Sequence, residues 1–532
     1  MPGGGLYSLV AYGAQNVLLS GNPDFTYFYK TYKKYAHFAE ESVTFSMDGP
    51  QDLSYDQPIQ VRFKIQRIAD LVRDMYFLID LPDIYCKYIE LPQNGRNSQY
   101  NFTWVQYIGC HIIQNIGFFI GGQKIQEFDG SYMITRAQAD LDSRSFQKWS
   151  KLVGNVPELY DPANGLYGGG ITGTGYPLVY NNNGPNSSTT TPPNINRPSI
   201  EGRTLQIPLP FWFIESTFGS LPLVSLQYQE CEVQITLRSI NQLYKINDSN
   251  GYSVAPGYLY NPSPIVNQPE NVYYTSVSNI SDVVINNFLT DIGTPNPLLN
   301  TWSLNPRIQL TYIYLTDEER KQFSSQPLQY LIRQITSYEF QLSTREIVEL
   351  QTHNPIERII IVPRRSDSLL YRNQTNNYTN WINPLKPPFI PTGTAPPGYT
   401  SIPWPPNVNI ISATGNYVLN GQRSIMRALT VLGDGNQLQE EKPLEYFTQL
   451  VPWKYLTGIP DPELLIYPFG LHSPSTQPDG TINSSRIKLF QLDLNVYPLP
   501  TNSFYTYNII IYVESLNWVC ISSGTGGLKY AL

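Results

Sequence analysis

The sequence predicts an all-β protein, two tandem sandwiches with long loop insertions and a few short helices. Three observations carry this. Short stretches alternate apolar and polar residues with a period of two. They fall into two sets separated by loops rich in Gly, Asn, Ser, Thr and Pro. And the composition favours strands and turns: of 532 residues 40 are Tyr and 44 are Pro, while only 14% are charged, against a usual ~25%. Tyr suits strands, and Pro marks loops and sheet edges.

The alternating segments appear in order. Val61, Phe63 and Ile65 alternate with Arg62, Lys64 and Gln66. Residues 75–81 form a denser apolar run, as expected of a strand covered on both faces. Ile116, Phe118 and Ile120 lead to Gly121-Gly122, the pair a two-residue hairpin needs. Cys231, Val233, Ile235 and Leu237 alternate with Glu232, Gln234, Thr236 and Arg238, placing Cys231 as a free buried thiol. Pro-bounded aromatics at 208–213 and the run 221–224 suit strand corners.

A second set opens with Ile308, Leu310, Tyr312 and Tyr314. Thr316-Asp317-Glu318-Glu319 then reads as a capping box for one helix. Phe490, Leu492, Leu494 and Val496 alternate again, and 507–513 is an apolar run suited to the last main strand.

The expected division is an N-terminal arm at 1–41 and a first β unit at 42–245, with a long loop at about 166–205. A loop or linker region follows at 246–303. The second β unit is 304–520, with a long loop at about 372–440, and a flexible C-terminal tail occupies 521–532. In the arm, Gly3-Gly4-Gly5 is flexible. The Tyr/Lys-rich stretch from Phe25 to Phe38 forms a short helix or an extended tail, and Lys30, Lys33 and Lys34 face solvent.

Charge and chemistry exclude several classes. The net charge of −7 lacks the basic field of a nucleic-acid binder. The start of the chain does not read as a secretory signal, and no apolar run of about 18 residues suggests a spanning helix. Cytosolic folding is the simplest expectation. Sequons at Asn101, Asn186, Asn279, Asn373 and Asn483 would matter only in a secretory lumen.

Cys86, Cys110, Cys231 and Cys520 are too few and too scattered for a disulfide framework or a zinc site. His37, His111, His353 and His472 have no metal-ligand spacing, and a strand through Cys110-His111 would point the two to opposite faces. Asp434-Gly435-Asn436 lacks the third oxygen ligand of a calcium loop at Leu438 and reads as a surface turn. Gly524–Lys529 has no helix after it to cradle a phosphate. Glu318-Glu319 and Glu440-Glu441 suit a helix start and a polar loop. No catalytic, cofactor-binding or metal-ligating residue is assigned, and no cofactor is expected.

A series of motifs carries a resemblance. Leu9-Val10-Ala11-Tyr12-Gly13-Ala14-Gln15, Ser20-Gly21-Asn22-Pro23 and Phe28-Tyr29-Lys30 open it. Ile120-Gly121-Gly122-Gln123-Lys124-Ile125, Gly154-Asn155-Val156-Pro157, Pro210-Phe211-Trp212-Phe213 and the stretch Leu221 to Tyr228 continue it. Tyr314 to Arg320 and Gln477 to Arg486 complete it. In this order the set resembles the major capsid proteins of nucleocytoplasmic large DNA viruses, in the algal-virus and mimivirus-like branch. Lys33-Lys34 replaces a frequent arginine pair, and Asp479 a usual serine.

The resemblance implies two tandem eight-stranded jelly rolls (a double jelly roll) and a homotrimer of roughly hexagonal outline that tiles an icosahedral shell. Its implied partners are neighbouring capsomers, minor capsid and penton proteins, inner membrane-associated proteins, and glycans on the outer loops, with no sequence-specific nucleic-acid contact. The implied place is the virion capsid, assembled in host cytoplasm, with no enzymatic activity. The alternatives are a carbohydrate-binding or carbohydrate-cleaving β-sandwich and, within the family, a minor capsid homologue.

Overall fold

A computed structural model describes residues 3–85, 88–90, 97–99, 101–160, 198–247, 253–254, 258–260, 274–276, 288–289, 301–369, 375–380, 423–473, 477–499 and 505–530. Cys86 and most of the three long loops, with Asn186, Asn279 and Asn373, lie outside these residues.

Sixteen strands form two rolls. The first comprises β1 (Phe38–Ser46), β2 (Ile59–Lys64), β3 (Leu71–Leu81), β4 (Ile113–Ile120), β5 (Gln123–Phe128), β6 (Arg203–Pro208), β7 (Cys231–Leu237) and β8 (Arg307–Leu315). The second comprises β9 (Leu328–Leu342), β10 (Glu346–Glu349), β11 (Pro355–Arg365), β12 (Met426–Gly433), β13 (Asn436–Pro443), β14 (Leu465–Pro468), β15 (Phe490–Val496) and β16 (Tyr507–Ser522). The first roll pairs as β1-β8-β3-β6 facing β2-β7-β4-β5, and the second as β9-β16-β11-β14 facing β10-β15-β12-β13. Counted within each roll, the order is the same: 1-8-3-6 against 2-7-4-5. This is the eight-stranded jelly roll, used twice.

The alternation read from sequence is the alternation of burial. Along β7 buried and half-buried residues alternate without a break, and Cys231 is buried and free. The hairpins β4–β5 and β12–β13 occupy equivalent places in the two rolls. Gly121 and Gly122 have φ of 56° and 82°, and Asp434 and Gly435 have φ of 50° and 81°. Both tight turns therefore sit in the left-handed region that matches strand twist.

Several expectations need correction. The strand at 307–315 does not open the second unit. It pairs with β1 from Phe38↔Leu315 to Ser46↔Arg307, and with β3. Periodicity reports a strand's faces and not its partner, and this strand returns to close the first roll. Residues 246–303 are therefore an insertion within the first roll, and they include short strands such as Tyr258–Tyr260 paired with Tyr274–Ser276. The link between rolls is the segment 316–327. The loop expected to reach residue 440 ends earlier, because 426–443 form β12 and β13. β13 carries almost no apolar residues and is an exposed edge, so its sequence reads as loop. The tail is not free either: β16 turns at Ser523-Gly524 into β17 (Thr525–Leu528), which pairs back onto it.

The arm contains helices α1 (Gly4–Val10) and α2 (Ala14–Ser20), neither with a buried residue, so Gly4 and Gly5 are helical. Residues 25–37 form no helix or strand. Two further helices, α3 (Gly130–Asp140) and α4 (Ser143–Leu152), follow β5. Cys110 and His111 lie on a short helical turn, Ile108–His111, and both are buried. Helix α5 (Asp317–Ser325) begins after Thr316 as expected, but the Thr316 hydroxyl makes no cap bond. Instead Arg320 reaches Asp70 (Nε–Oδ1 2.8 Å), and Asp70 also accepts from the Leu315 amide at 2.9 Å. Among the described residues no helix is long and apolar enough to cross a membrane.

Two apolar cores result. One fills the second roll, around Leu342, Ile359, Ile361, Ile509, Ile511 and Val513. The other fills the first roll and continues across to Ile332, Ile360, Val362, Tyr512, Val519 and Ile521. The sheet β9-β16-β11-β14 is thus covered on both faces, one by its own roll and one by the other. That is why β11 and the start of β16 read as near-continuous apolar runs rather than alternating ones.

Candidate functional site

The residues singled out for chemistry are dispersed. His37 and His353 are exposed, His472 pairs with Asp479 (Nδ1–Oδ2 2.9 Å), and His111 is buried against Asn376 (Nε2–Oδ1 2.9 Å). Cys110, Cys231 and Cys520 are free thiols. Burial pushes the Cys231 thiol up to about 12, which leaves it inert at neutral pH. Glu440 pairs with Lys442 on the exposed edge strand β13, and Glu441 faces Arg345 at 3.7 Å. Among the described residues no group of three or more His, Cys, Asp or Glu could hold a metal ion.

Polar chemistry concentrates instead at the seam between the rolls, which sequence reading did not single out. Helix α3 of the first roll lies against β11 and β16 of the second. Asp129 caps α3 through the Tyr132 amide at 2.7 Å and accepts from Tyr512 Oη at 2.8 Å. Tyr132 Oη donates to Glu514 Oε1 at 2.8 Å. Arg358 grips Glu514 with two hydrogen bonds (2.7 and 2.9 Å) and turns its remaining face to Asp140, with Nη2–Oδ2 at 2.9 Å. Arg358 and Glu514 are each only 1% exposed. Arg136 and Arg333 share Glu215, and Arg333 also holds Glu357.

Burial works against the charge of Arg358, but the Asp140 and Glu514 carboxylates outweigh it and hold the guanidinium protonated. The same contest holds Asp140 below the usual carboxylate range: burial raises it, and Arg358 pulls it down further. The local sequence contained a signal. Glu357-Arg358 and Glu514 interrupt apolar runs, and a charge on a strand covered on both faces survives only if paired.

His111 carries a pH dependence. Burial first, then the nearby Arg364 and Arg238, lower it from the ordinary 6.5 to about 3. A depressed histidine leaves stability intact above 6.5 and erodes it as pH falls from 6.5 towards 3, by about 1.4 kcal/mol per pH unit. Urea unfolding of wild type and His111→Gln at pH 7 and pH 5 is expected to show a wider gap between the two pH values in wild type. Equal gaps would contradict this account.

The outer surface carries large apolar side chains. Trp453, Ile459 and Leu471 are 85%, 79% and 65% exposed. They lie on neighbouring segments joined by a Ser473 N–Tyr455 O bond of 3.0 Å. Phe218 and Tyr228 are exposed to 91% and 79%, and in the arm Leu18, Leu19, Tyr27 and Phe28 are nearly bare. Aromatic and aliphatic side chains held open in this way suit contact with other protein surfaces.

Comparison with known proteins fits a shell component. A family model described as the major capsid protein N-terminus matches residues 26–260. A second, described as the large eukaryotic DNA virus major capsid protein, matches residues 319–527. The chain belongs to this family. The second match begins within the link that separates the rolls, and the first ends at residue 260, within the insertion that precedes β8.

Relatives among these major capsid proteins span the whole chain. That of Phaeocystis pouchetii virus is 25% identical, with 99% of each chain covered. That of Paramecium bursaria Chlorella virus 1 is 24% identical over 99% of each, as is the probable capsid protein 4 of Acanthamoeba polyphaga mimivirus. Among solved structures, the quasi-atomic PBCV-1 virus capsid is similar with a TM-score of 0.61 at 18% identity, covering 95% of this chain and all of that one. The Faustovirus major capsid protein gives a TM-score of 0.60 at 14% identity, covering 97% and 96%. The double jelly-roll capsid fold and the major capsid role are those the motif series implied.

Proposed function

We propose that three copies of this chain form a capsomer of pseudo-hexagonal outline, and that such capsomers tile an icosahedral shell without catalysis. The observation that carries this is the pair of rolls with identical strand order, fixed to each other by a buried seam. Two rigid, similar wedges in one chain, repeated about a three-fold axis, give six near-equivalent flanks. Neighbouring capsomers can then meet flank to flank in a nearly hexagonal lattice. Minor capsid and penton proteins would occupy the places where that lattice must bend or close.

In this reading the exposed apolar residues Trp453, Ile459 and Leu471 are contact surface. Arm residues 1–37 carry Lys30, Lys33 and Lys34 against the single carboxylate of Asp24. They would reach neighbouring capsomers or inner components of the particle. Assembly follows in host cytoplasm, where free thiols such as Cys110 and Cys231 persist.

The test is icosahedral averaging of purified particles. Six-lobed capsomers, each accommodating three chains, are expected. Deleting residues 1–24 is expected to leave capsomers intact while reducing the yield of closed shells. Capsomers with two or four chains, or normal shells from the deletion, would contradict the respective parts of the proposal.

A further inference from the structure

A cavity of about 410 Å³ opens at the seam, where α3, α4 and the end of β6 meet β9. It is large enough to take a bulky side chain. Met133, Ala137, Leu141, Trp149, Leu209 and Ile214 form its apolar walls. The charged groups at its edge are engaged with one another. Arg136 donates from Nε to Asp140 at 3.3 Å, from Nη1 to Pro210 O at 3.1 Å, and from Nη2 to Glu215. The other oxygen of Glu215 accepts from Arg333 Nη1 at 2.9 Å. What the cavity leaves uncovered is its apolar wall, so the group that fits is an apolar or aromatic side chain rather than an ion. Beside it, the Gly458 amide donates to Ala139 O at 2.8 Å, which sets the bare side chain of Ile459 next to the end of α3.

The N-terminal arm has the complementary surface. Its large apolar side chains from Leu6 to Tyr35 are all at least 54% exposed, and Phe28 is 99% exposed. The arm's hydrogen bonds and ring contacts among the described residues stay within the arm, for example Phe25 against Tyr27 and Lys30 over Tyr32. Its own body therefore does not take it up. Charge favours a body as its partner. Lys30, Lys33 and Lys34 against Asp24 make residues 1–37 +2, and the whole chain is −7, so the remainder is −9. Reach is sufficient too. Phe28 precedes the start of β1 at Phe38 by ten residues without helix or strand between them, a tether of up to ~33 Å.

We propose that the arm of a second copy docks here, with the Phe28 ring seated in the cavity between α3, α4 and Ile214. The inference rests on the reading that copies of this chain assemble, and it names the surface that receives the arm. Burial of the ring supplies the attraction, and the opposite charges of arm and body draw the two together. Because the cavity is built from α3 on one side and Arg333 of β9 on the other, a seated arm would also clasp the two rolls of the receiving copy.

The test uses the full chain with the photo-cross-linking residue p-benzoylphenylalanine in place of Phe28. This protein is mixed with heavy-isotope-labelled wild type, assembled, irradiated and digested, and the joined peptides are identified by mass. Cross-links from the unlabelled arm to labelled peptides within 130–152 or 203–215 are expected. Ala137→Met in the labelled copy narrows the cavity and is expected to lower their yield about ten-fold, while the exposed control Ile347→Ser leaves it unchanged. Cross-links only within one copy, only to other surfaces, or only to lipid when phosphatidylserine vesicles are added would overturn the proposal. Should Ala137→Met not fold, the position of the cross-link in the otherwise unaltered chain decides. An oligomer by native mass without these cross-links overturns the docking and leaves the assembly reading standing, whereas a monomer overturns both.

Discussion

Replacing Arg358 by leucine is expected to destabilise the chain by about 3–5 kcal/mol. The loss comes less from the missing attraction than from what remains. Glu514 is 1% exposed and would keep one partner, the Tyr132 hydroxyl. Asp140 would keep only the longer contact to Arg136 at 3.3 Å. Two carboxylates buried with too few donors must either take up protons or open the seam. The double replacement Arg358→Met with Glu514→Leu removes the charge on both sides of the tightest pair, and is expected to recover part of the loss. Urea unfolding followed by Trp fluorescence measures both. A cost under about 1 kcal/mol for Arg358→Leu would show that the network does not lock the rolls.

The same network has a definite acid response. Asp140 is held below its ordinary range, so its contribution is present above that range and disappears as pH falls through the depressed value. His111 acts at higher pH, between 6.5 and about 3. The seam is therefore expected to weaken in two stages on acidification, histidine first.

Phe118→Ala is the second large effect, about 3–5 kcal/mol. Phe118 is fully buried on β4. Its ring sits among Phe211, Trp212 and Phe213, with centroids 5.4, 5.1 and 5.5 Å away. Truncation removes the body on which three aromatic rings pack, and stiff neighbours cannot collapse into the gap. Conservative Phe118→Leu is expected to cost clearly less. Calorimetric melting of the two variants checks the ranking, and equal losses would contradict it.

Both predictions concern features of different legibility. The Pro-bounded run 208–213 and the alternation at 116–120 were visible in sequence, and the structure packs them together. Alternation names the buried face directly, because a period of two leaves no other solution for a half-buried strand. Partnership was not visible. The strand Arg307–Leu315 has the same pattern whichever roll it joins, and only its pairing with β1 and β3 assigns it. β13 was not visible either, since an exposed edge strand of Gln, Glu and Lys satisfies its backbone on one side and needs no apolar face.

The seam lay between these extremes. Charges embedded in apolar runs at Glu357-Arg358 and Glu514 mark places that require a partner, but their partners Asp140 and Tyr132 are more than two hundred positions away. The motif series filled that gap by implying a double jelly roll, within which two apolar-faced sheets must meet. The exposed apolar surfaces are legible only in structure, because exposure of Trp453 or Phe218 is not a property of local sequence.

The central claim is that two locked rolls make this chain one third of a capsomer. Native mass measurement of the purified protein tests it most directly. A species of three times the 60.5 kDa chain, persisting across micromolar dilution, is the expected result. A stable monomer at all those concentrations would contradict it.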